Sequence, residues 1–490
     1  MSRYFTNPLY GGQDPFVCKG PDGLYYGVAE SPDSRQIEVF CSPRLTDRGI
    51  RRIAFTAFES GPCSHDLWAP EIWYLRGKWY IYFAGAEGTG MANWDSHRMY
   101  VLEADEPLGP YRFMGRLELG EFMSIDGTVL ELPDGQLIFV YMKKHKGENT
   151  LFMASMSDPT HISGQPVLLS KPDYPWEADI NEGAFPIVRN GQVYIMYSAN
   201  AAHLPQYCIA LLHCTDPANA MDPKVWMKEP EPILVGSEDV IGPGHACIVP
   251  SPDGREDYLV FHSKFDRADT LPEGWNRVVN LLRVKWDERQ RPVFDPLPRR
   301  GELRLLPSGE QPLEWGYTLR LLPGQEPDAL AEYGSYRTKI FFYEQEGLRI
   351  RGKRYPEYGN KALVRSCQWR DLEATCRMKA EDGKSGLLFR VQHPGAGALL
   401  WNGCGLFLEE DRWELIHCDG KTRRVLSRGT HTEQGILTVK VTAVGTDVTV
   451  HLNDRIICRM PVPGIPPTGQ LGFGTWNGDG LFCSLNVRPL

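Results

Sequence analysis

No apolar run in the 490-residue chain approaches the length of about 20 residues that crosses a bilayer, so no membrane span is expected. Nor is there an excess of positive charge: the formal net charge is -9, and no basic stripe is present to neutralise phosphates. Nucleic acid is therefore not the expected partner, and neutral or weakly charged ligands fit better. Twelve cysteines are scattered from Cys18 to Cys483 without a CxxC pair or a tight cluster. That pattern gives zinc no support and reads as reduced core thiols rather than a disulfide framework. The opening MSRYFTNPLYGGQDPF has a single Arg and no apolar stretch behind it, so it does not read as a secretory signal, and a cytoplasmic location is expected. Amphipathic segments of helical period are missing as well, which excludes a βαβ architecture.

What the chain has is a recurring frame. Asp14 lies nine residues before Gly23, Trp68 nine before Gly77, Asp126 nine before Gly135, Glu182 nine before Gly191 and His245 nine before Gly254. Aromatic and β-branched runs follow each Gly: LYYGVA from Leu24, KWYIYFAG from Lys78, QLIFVYM from Gln136, QVYIMYS from Gln192 and DYLVFHS from Asp257. Such runs behind turn residues read as buried strands. Successive frames are 54, 58, 56 and 63 residues apart, room for about four short strands each, so the repeat predicts a five-bladed β-propeller.

Pro and Gly are dense from Pro292 to Pro327, and no sixth frame follows. From about Tyr336 the texture becomes alternating strands such as LLFRVQ from Leu387, LTVKVTAV from Leu437 and DVTVHLND from Asp447, the last two facing each other across Gly445-Thr446. The expected organisation is all-β: a propeller over residues 1–305, a linker over 306–325, and a β-sandwich of jelly-roll or concanavalin-like type over 326–490.

If the five frames superpose, three carboxylates, a Trp and a His converge on one mouth of the propeller. A single Asp in such a place is more simply a turn former, as Asp14-Pro15 and Asp126-Gly127 illustrate. Three acidic residues at five equivalent positions point instead to chemistry, because mutually repelling carboxylates in one cavity weaken the fold. Two carboxyls flanking a glycosidic bond suffice for its hydrolysis, one giving a proton to the leaving oxygen and the other activating water. Blade three adjoins blade four, so Asp126 is expected beside Glu182 with Asp14 across the gap. A gap of about 6.5 to 9.5 Å leaves room for water and gives inversion, whereas about 5 to 5.5 Å gives retention. The ring therefore favours inversion.

QDPF at Asp14, DLWAPEIWY at Trp68, SIDGTVLE at Asp126, NEGAFPI at Glu182 and GPGHACIV at His245 together resemble the successive motifs of glycoside hydrolase family 43, in order and in spacing, over roughly residues 5 to 305. The resemblance implies a five-bladed propeller and an inverting mechanism with Asp14 as general base, Glu182 as general acid and Asp126 tuning and orienting the acid. It implies no cofactor for the chemistry. His245 matches a channel residue that in the family often faces a metal ion, commonly calcium, or water, so a structural calcium near His245 is the candidate metal. Arg277 matches an arginine reaching the sugar pocket, and Trp68 the WAP aromatic that walls it. Trp94, in the long GTGMANWDSHRMY stretch, is a candidate subsite platform. Two departures, EGAF at the acid and IDG rather than IDP in blade three, lie next to the sugar position. An invertase-like relative is disfavoured, since Glu182 is followed by Gly183 and not by Cys.

The expected activity is exo-acting release of terminal α-L-arabinofuranosyl units from oligosaccharides. β-D-xylosidase and β-D-galactofuranosidase activity are the alternatives within the family, and a non-catalytic sugar-binding propeller is the alternative outside it. The sandwich reads as a pocket-closing, carbohydrate-binding or oligomerising module, which leaves a homo-oligomer open. Trp401, Trp413 and Trp476 are its candidate binding aromatics.

Overall fold

The computed structural model describes residues 4–31, 33–88, 91–264, 277–299, 302–310, 318–320, 330–334, 340–352, 359–364, 369–395 and 397–490. Helix among them is confined to short 3-10 segments, the longest being Met91–Ser96. Most of the linker expected over 306–325 lies outside the described residues. The chain divides into two compact units: Gly12–Leu297 with Pro307–Gly309, and Met1–Gly11 with Pro298–Leu306 and Glu310–Leu490.

The first unit is a five-bladed propeller. Its inner strands are Phe16–Lys19, His65–Leu75, Ser124–Glu131, Asn181–Arg189 and Ile241–Pro250. Each pairs antiparallel with the strand predicted after the frame Gly: Tyr25–Glu30, Lys78–Ala86, Leu137–His145, Gln192–Ala199 and Asp257–Lys264. The inner strands pack on one another in chain order, and the fifth returns to the first, which closes the ring. Turn chemistry fixes the hairpins. Arg189 pairs with Gln192 across Asn190 (φ 46) and Gly191 (φ 78), a two-residue turn with both central residues left-handed, which matches the right-handed twist of the flanking strands.

The second strands read as unbroken apolar runs because both faces of each blade are buried. In blade three, Phe139 and Tyr141 pack towards blade two with Tyr82, Val101 and Val129. Their neighbours Ile138 and Val140 pack the other way, with Ile195, Tyr197 and Leu212 of blade four. Alternate residues on a strand point to opposite faces, so one segment supplies two cores.

In the second unit, Leu372–Gln392 and Gln470–Pro489 pair over almost their whole length, and the strands beside them form the layers of a β-sandwich. The first half of Leu372–Gln392 pairs with Leu437–Val444, the second half with Asn402–Leu408. Between the halves the ladder slips at Asp382. There Gly383 has φ 78, and a Cβ on it would lie 2.1 Å from the Asn477 carbonyl oxygen, so this crossing requires glycine. Leu437–Val444 and Asp447–Leu452 form the hairpin expected across Gly445-Thr446. Tyr4–Phe5 pairs with Arg304–Leu305, which binds the first residues of the chain into this unit.

The sandwich aromatics differ from expectation. Trp401 is 2% exposed and Trp413 is 6% exposed, the latter in the core with Leu406, Leu415 and Phe473, so neither presents a ring to a sugar. Indole is apolar enough to serve as core filling, and sequence alone does not separate that use from a binding platform. Trp476 is partly exposed, with the Arg423 guanidinium 4.3 Å from its ring centroid.

Candidate active site

The five frame residues occupy one level of the propeller. Ladder pairing of the inner strands slips there, between Trp68 and Glu71, Ile125 and Thr128, Glu182 and Phe185, and Gly244 and Ala246. A left-handed residue accompanies every blade at this level: Asp14 (φ 44), Ala69 (φ 45), Asp126 (φ 54), Gly183 (φ 56) and His245 (φ 42). Bulges of this kind re-aim side chains, and non-glycine residues held at such φ are strain kept at functional sites.

Five of the predicted residues, Asp14, Asp126, Glu182, His245 and Arg277, meet in one hydrogen-bonded or charge-coupled cluster. Arg277 Nη1 donates to Asp14 Oδ1 at 2.9 Å, while its Nη2 donates to Gln13 Oε1 at 2.6 Å. His245 Nδ1 lies 3.3 Å from Asp14 Oδ1 and 3.9 Å from Asp126 Oδ2. Gly183 N donates to Asp126 Oδ2 at 3.0 Å, which puts Asp126 against the residue next to Glu182. The ring is held from behind as well, since Ser198 Oγ accepts from the His245 backbone N–H at 2.7 Å.

The environment drives the carboxyls apart. Burial alone would raise the Asp14 carboxyl, but the Arg277 guanidinium foremost, then His245 and His262, hold it well below the usual carboxylate range. Glu182 is pushed up to about 7, chiefly by burial and further by the charge of Asp14, against the Tyr207 and Asn149 hydrogen bonds that draw it down. Asp126 is likewise pushed up to about 7, by burial first and then by Glu182 and Asp14, with His245 opposing. Burial is thus the main lever on Glu182, and the like charge that adds to it is that of Asp14 rather than the expected Asp126. One carboxylate held ionised and another able to keep its proton near neutrality are the two species that acid–base cleavage of a glycosidic bond needs.

Trp68 stacks on the His97 ring at 4.0 Å and meets Trp94 edge-on at 5.8 Å, so the two predicted aromatics form one wall. Burial lowers His97 to about 4, which leaves an uncharged ring behind the indole. Sequence reasoning missed Tyr207, His262 and Asn149. Tyr207 OH donates to Glu182 Oε1 at 3.0 Å and its ring stacks on His262 at 5.6 Å. His262 Nδ1 sits 3.1 Å from both the Asp14 backbone N and Oδ1, and burial lowers its pKa to about 3, so the ring is neutral. None of the three lies in a frame motif. His262, within the buried run DYLVFHS, carries the one available signal: a polar ring in an apolar strand.

Calcium takes about six to eight oxygen ligands. His245 Nδ1 instead faces two carboxylates already engaged by Arg277 and by Gly183 N, and among the described residues no group of three or more His, Cys, Asp or Glu side chains could hold a metal ion. The described residues do not fit a protein-caged calcium.

Known proteins are similar to this chain in sequence and fold. An extracellular exo-α-(1→5)-L-arabinofuranosidase of Streptomyces chartreusis is 31% identical over 274 residues, covering 53% of this chain and 82% of its own. One of the same name from Streptomyces avermitilis is 32% identical over 308 residues, 59% of this chain and 63% of its own. The crystal structure of an α-L-arabinofuranosidase from Lactobacillus brevis superposes with a TM-score of 0.57 at 29% identity, covering 61% of this chain and 98% of that one. Both Streptomyces enzymes are named extracellular, which overturns the expected cytoplasmic location; the absence of an apolar stretch in the first residues speaks only of those residues. The profile of glycosyl hydrolases family 43 matches residues 5–292, and with a propeller, its carboxylate mouth and more than half of the sequence in agreement, this chain belongs to that family of glycoside hydrolases.

Proposed function

We propose that the chain is an inverting, exo-acting glycoside hydrolase that removes terminal α-L-arabinofuranosyl units from oligosaccharides. The observation that carries this reading is the opposed electrostatics of Asp14 and Glu182 at one mouth. In the proposed mechanism, Glu182 passes its proton to the glycosidic oxygen as the bond to the anomeric carbon breaks. Asp14 takes a proton from the water that attacks the opposite face, so the configuration inverts. Turnover leaves Asp14 protonated and Glu182 ionised, and exchange with solvent resets both. Asp126 keeps the acid oriented through the Gly183 peptide. Arg277 keeps the base ionised, and Trp68 with Trp94 walls the sugar. The names of the Streptomyces relatives support the arabinofuranosyl preference.

A panel of p-nitrophenyl α-L-arabinofuranoside, β-D-xylopyranoside and β-D-galactofuranoside tests the reading on wild type, Asp14→Ala and Glu182→Ala. Turnover of the arabinofuranoside by wild type and its loss in both variants is expected. A preference for either other glycoside would reassign the sugar. No turnover of any of them would remove the enzymatic reading as stated. Proton NMR of the first-formed anomer tests Asp14 separately, because net retention is incompatible with its role as base.

A further inference from the structure

Asp14 stands in a backbone conformation that its own sequence disfavours. It precedes Pro15, which drives the residue before it towards an extended φ of about −120°, yet its φ is 44. A non-glycine residue at positive φ ahead of a proline is strained twice, so its surroundings must hold it there. Arg277 grips the side chain of Asp14, and His262 grips its backbone.

The same device recurs around the mouth. Gly183 (φ 56) gives its N–H to Asp126 Oδ2 of blade three at 3.0 Å, and His245 (φ 42) gives its N–H to Ser198 Oγ of blade four at 2.7 Å. Asp14 gives its N–H to His262 Nδ1 of blade five at 3.1 Å. In each case a side chain of one blade catches the left-handed residue of the next, and His262 does so where the fifth blade returns to the first. Ser198 and His262 both stand near the end of the second strand of their blades, Gln192–Ala199 and Asp257–Lys264.

The imidazole is fixed in this contact. It is fully buried and lies nearly parallel to the Tyr207 ring, with 5.6 Å between centroids and 9° between planes. Gly244, its partner in the ladder, makes room for that stack, since a Cβ there would lie 2.0 Å from Tyr207 Cε1. Because Nδ1 accepts the Asp14 N–H, the neutral ring carries its proton on Nε2, and that buried atom meets no acceptor among the described residues. Folds keep few buried donors unpartnered, so an imidazole here is retained for what Nδ1 does.

We propose that His262 is a positioning residue for the base: by accepting the Asp14 N–H it holds Asp14 in the left-handed conformation from which its carboxylate meets Arg277 and the attacking water. The inference rests on the hydrolase reading and deepens it. His262 acts through Asp14 and needs no contact with the sugar. Without the acceptor, the Asp14 N–H would be left unsatisfied and the backbone free to relax, which would turn the carboxylate out of line. Asparagine carries its amide oxygen as many bonds from the backbone as Nδ1, so His262→Asn keeps an acceptor, whereas His262→Leu offers none.

Wild type and both variants are assayed on p-nitrophenyl α-L-arabinofuranoside and on α-(1→5)-linked arabinobiose. His262→Leu is expected to lose about 100-fold in kcat with KM changed by less than about threefold. The loss should be the same on both substrates, because the base assists the water whatever the leaving group, while a damaged acid penalises the poorer leaving group more. His262→Asn should recover at least about tenfold of that loss. Circular dichroism melts show whether each variant is folded. Proton–nitrogen NMR of wild type labelled at histidine, with His262 assigned by its absence from His262→Asn, reads the ring directly, and a protonated Nε2 with a bare Nδ1 is expected at neutral pH. That measurement and the activity of His262→Asn decide the matter if His262→Leu does not fold. A ring protonated at Nδ1, a folded His262→Leu with the kcat of wild type, or a loss confined to the disaccharide would overturn the proposal and leave the hydrolase reading intact. Inactivity of wild type on every glycoside would overturn the hydrolase reading and the role of the base with it.

Discussion

The backbone N–H of Gly183 donates to Asp126 Oδ2 at 3.0 Å, so the peptide that follows Glu182 on blade four is held by a carboxylate of blade three. Asparagine at 126 can still accept this bond but carries no charge. Coupled carboxyls lose their protons in two steps that belong to the pair, and removing one member lowers the upper step. Asp126→Asn is therefore expected to move the alkaline limb of the kcat/KM profile to lower pH, with kcat reduced by about 10–100-fold. An alkaline limb that stays in place would count against the tuning role.

Tyr207→Phe tests the opposite sign. The Tyr207 hydroxyl donates to Glu182 and favours its ionised form, so its removal should raise the acid's pKa above the present value of about 7. The alkaline limb is expected to move up in pH, with a loss of no more than about tenfold at its optimum. A downward movement would show that Tyr207 stabilises the protonated acid instead.

Arg277→Met removes the foremost positive influence on Asp14 and one of the influences lowering Glu182. Both limbs of the pH–rate profile are expected to move to higher pH, and the loss of activity should be greater at pH 5 than at pH 7. In wild type, Asp14 with its depressed folded pKa contributes stability above the ordinary Asp value, lost as pH falls through the folded value. The variant should therefore lose part of its stability advantage at neutral pH over acid pH, readable by urea melts at both.

Glu182 and Asp126 carry the reverse linkage. Their folded pKa values, raised to about 7, make the folded state hold protons that the unfolded chain releases near pH 4, so stability present below that point is lost as pH rises through about 7. Glu182→Gln removes one such group. At pH 8 it is expected to be more stable than wild type by roughly 1–3 kcal/mol, with little difference at pH 4. Thermal melts at the two pH values check this; equal differences at both would refute the linkage.

Much of the propeller was legible because its physics is local. The Asn190-Gly191 turn, the nine-residue offset and the apolar second strands each follow from neighbours in sequence, and the ring brings their leading residues together. The convergence of Asp14, Asp126, Glu182 and His245 on one level of the ring could be expected for that reason. Tyr207 and Asn149 lie outside the inner strands and reach Glu182 only once the blades have packed, so no spacing reveals them. Trp401 and Trp413 mark the same boundary from the other side: an indole in a strand pattern does not declare whether its ring faces solvent or the core.

The slip at Gly383 lets two strands run without a break from one layer of the sandwich into the other. Neither layer can then open while the other stays closed, since both would lose the same pair of strands. Opening of the sandwich is for that reason a single cooperative event, and amides of Leu372–Gln392 on the two sides of the slip should exchange with deuterium at one common free energy.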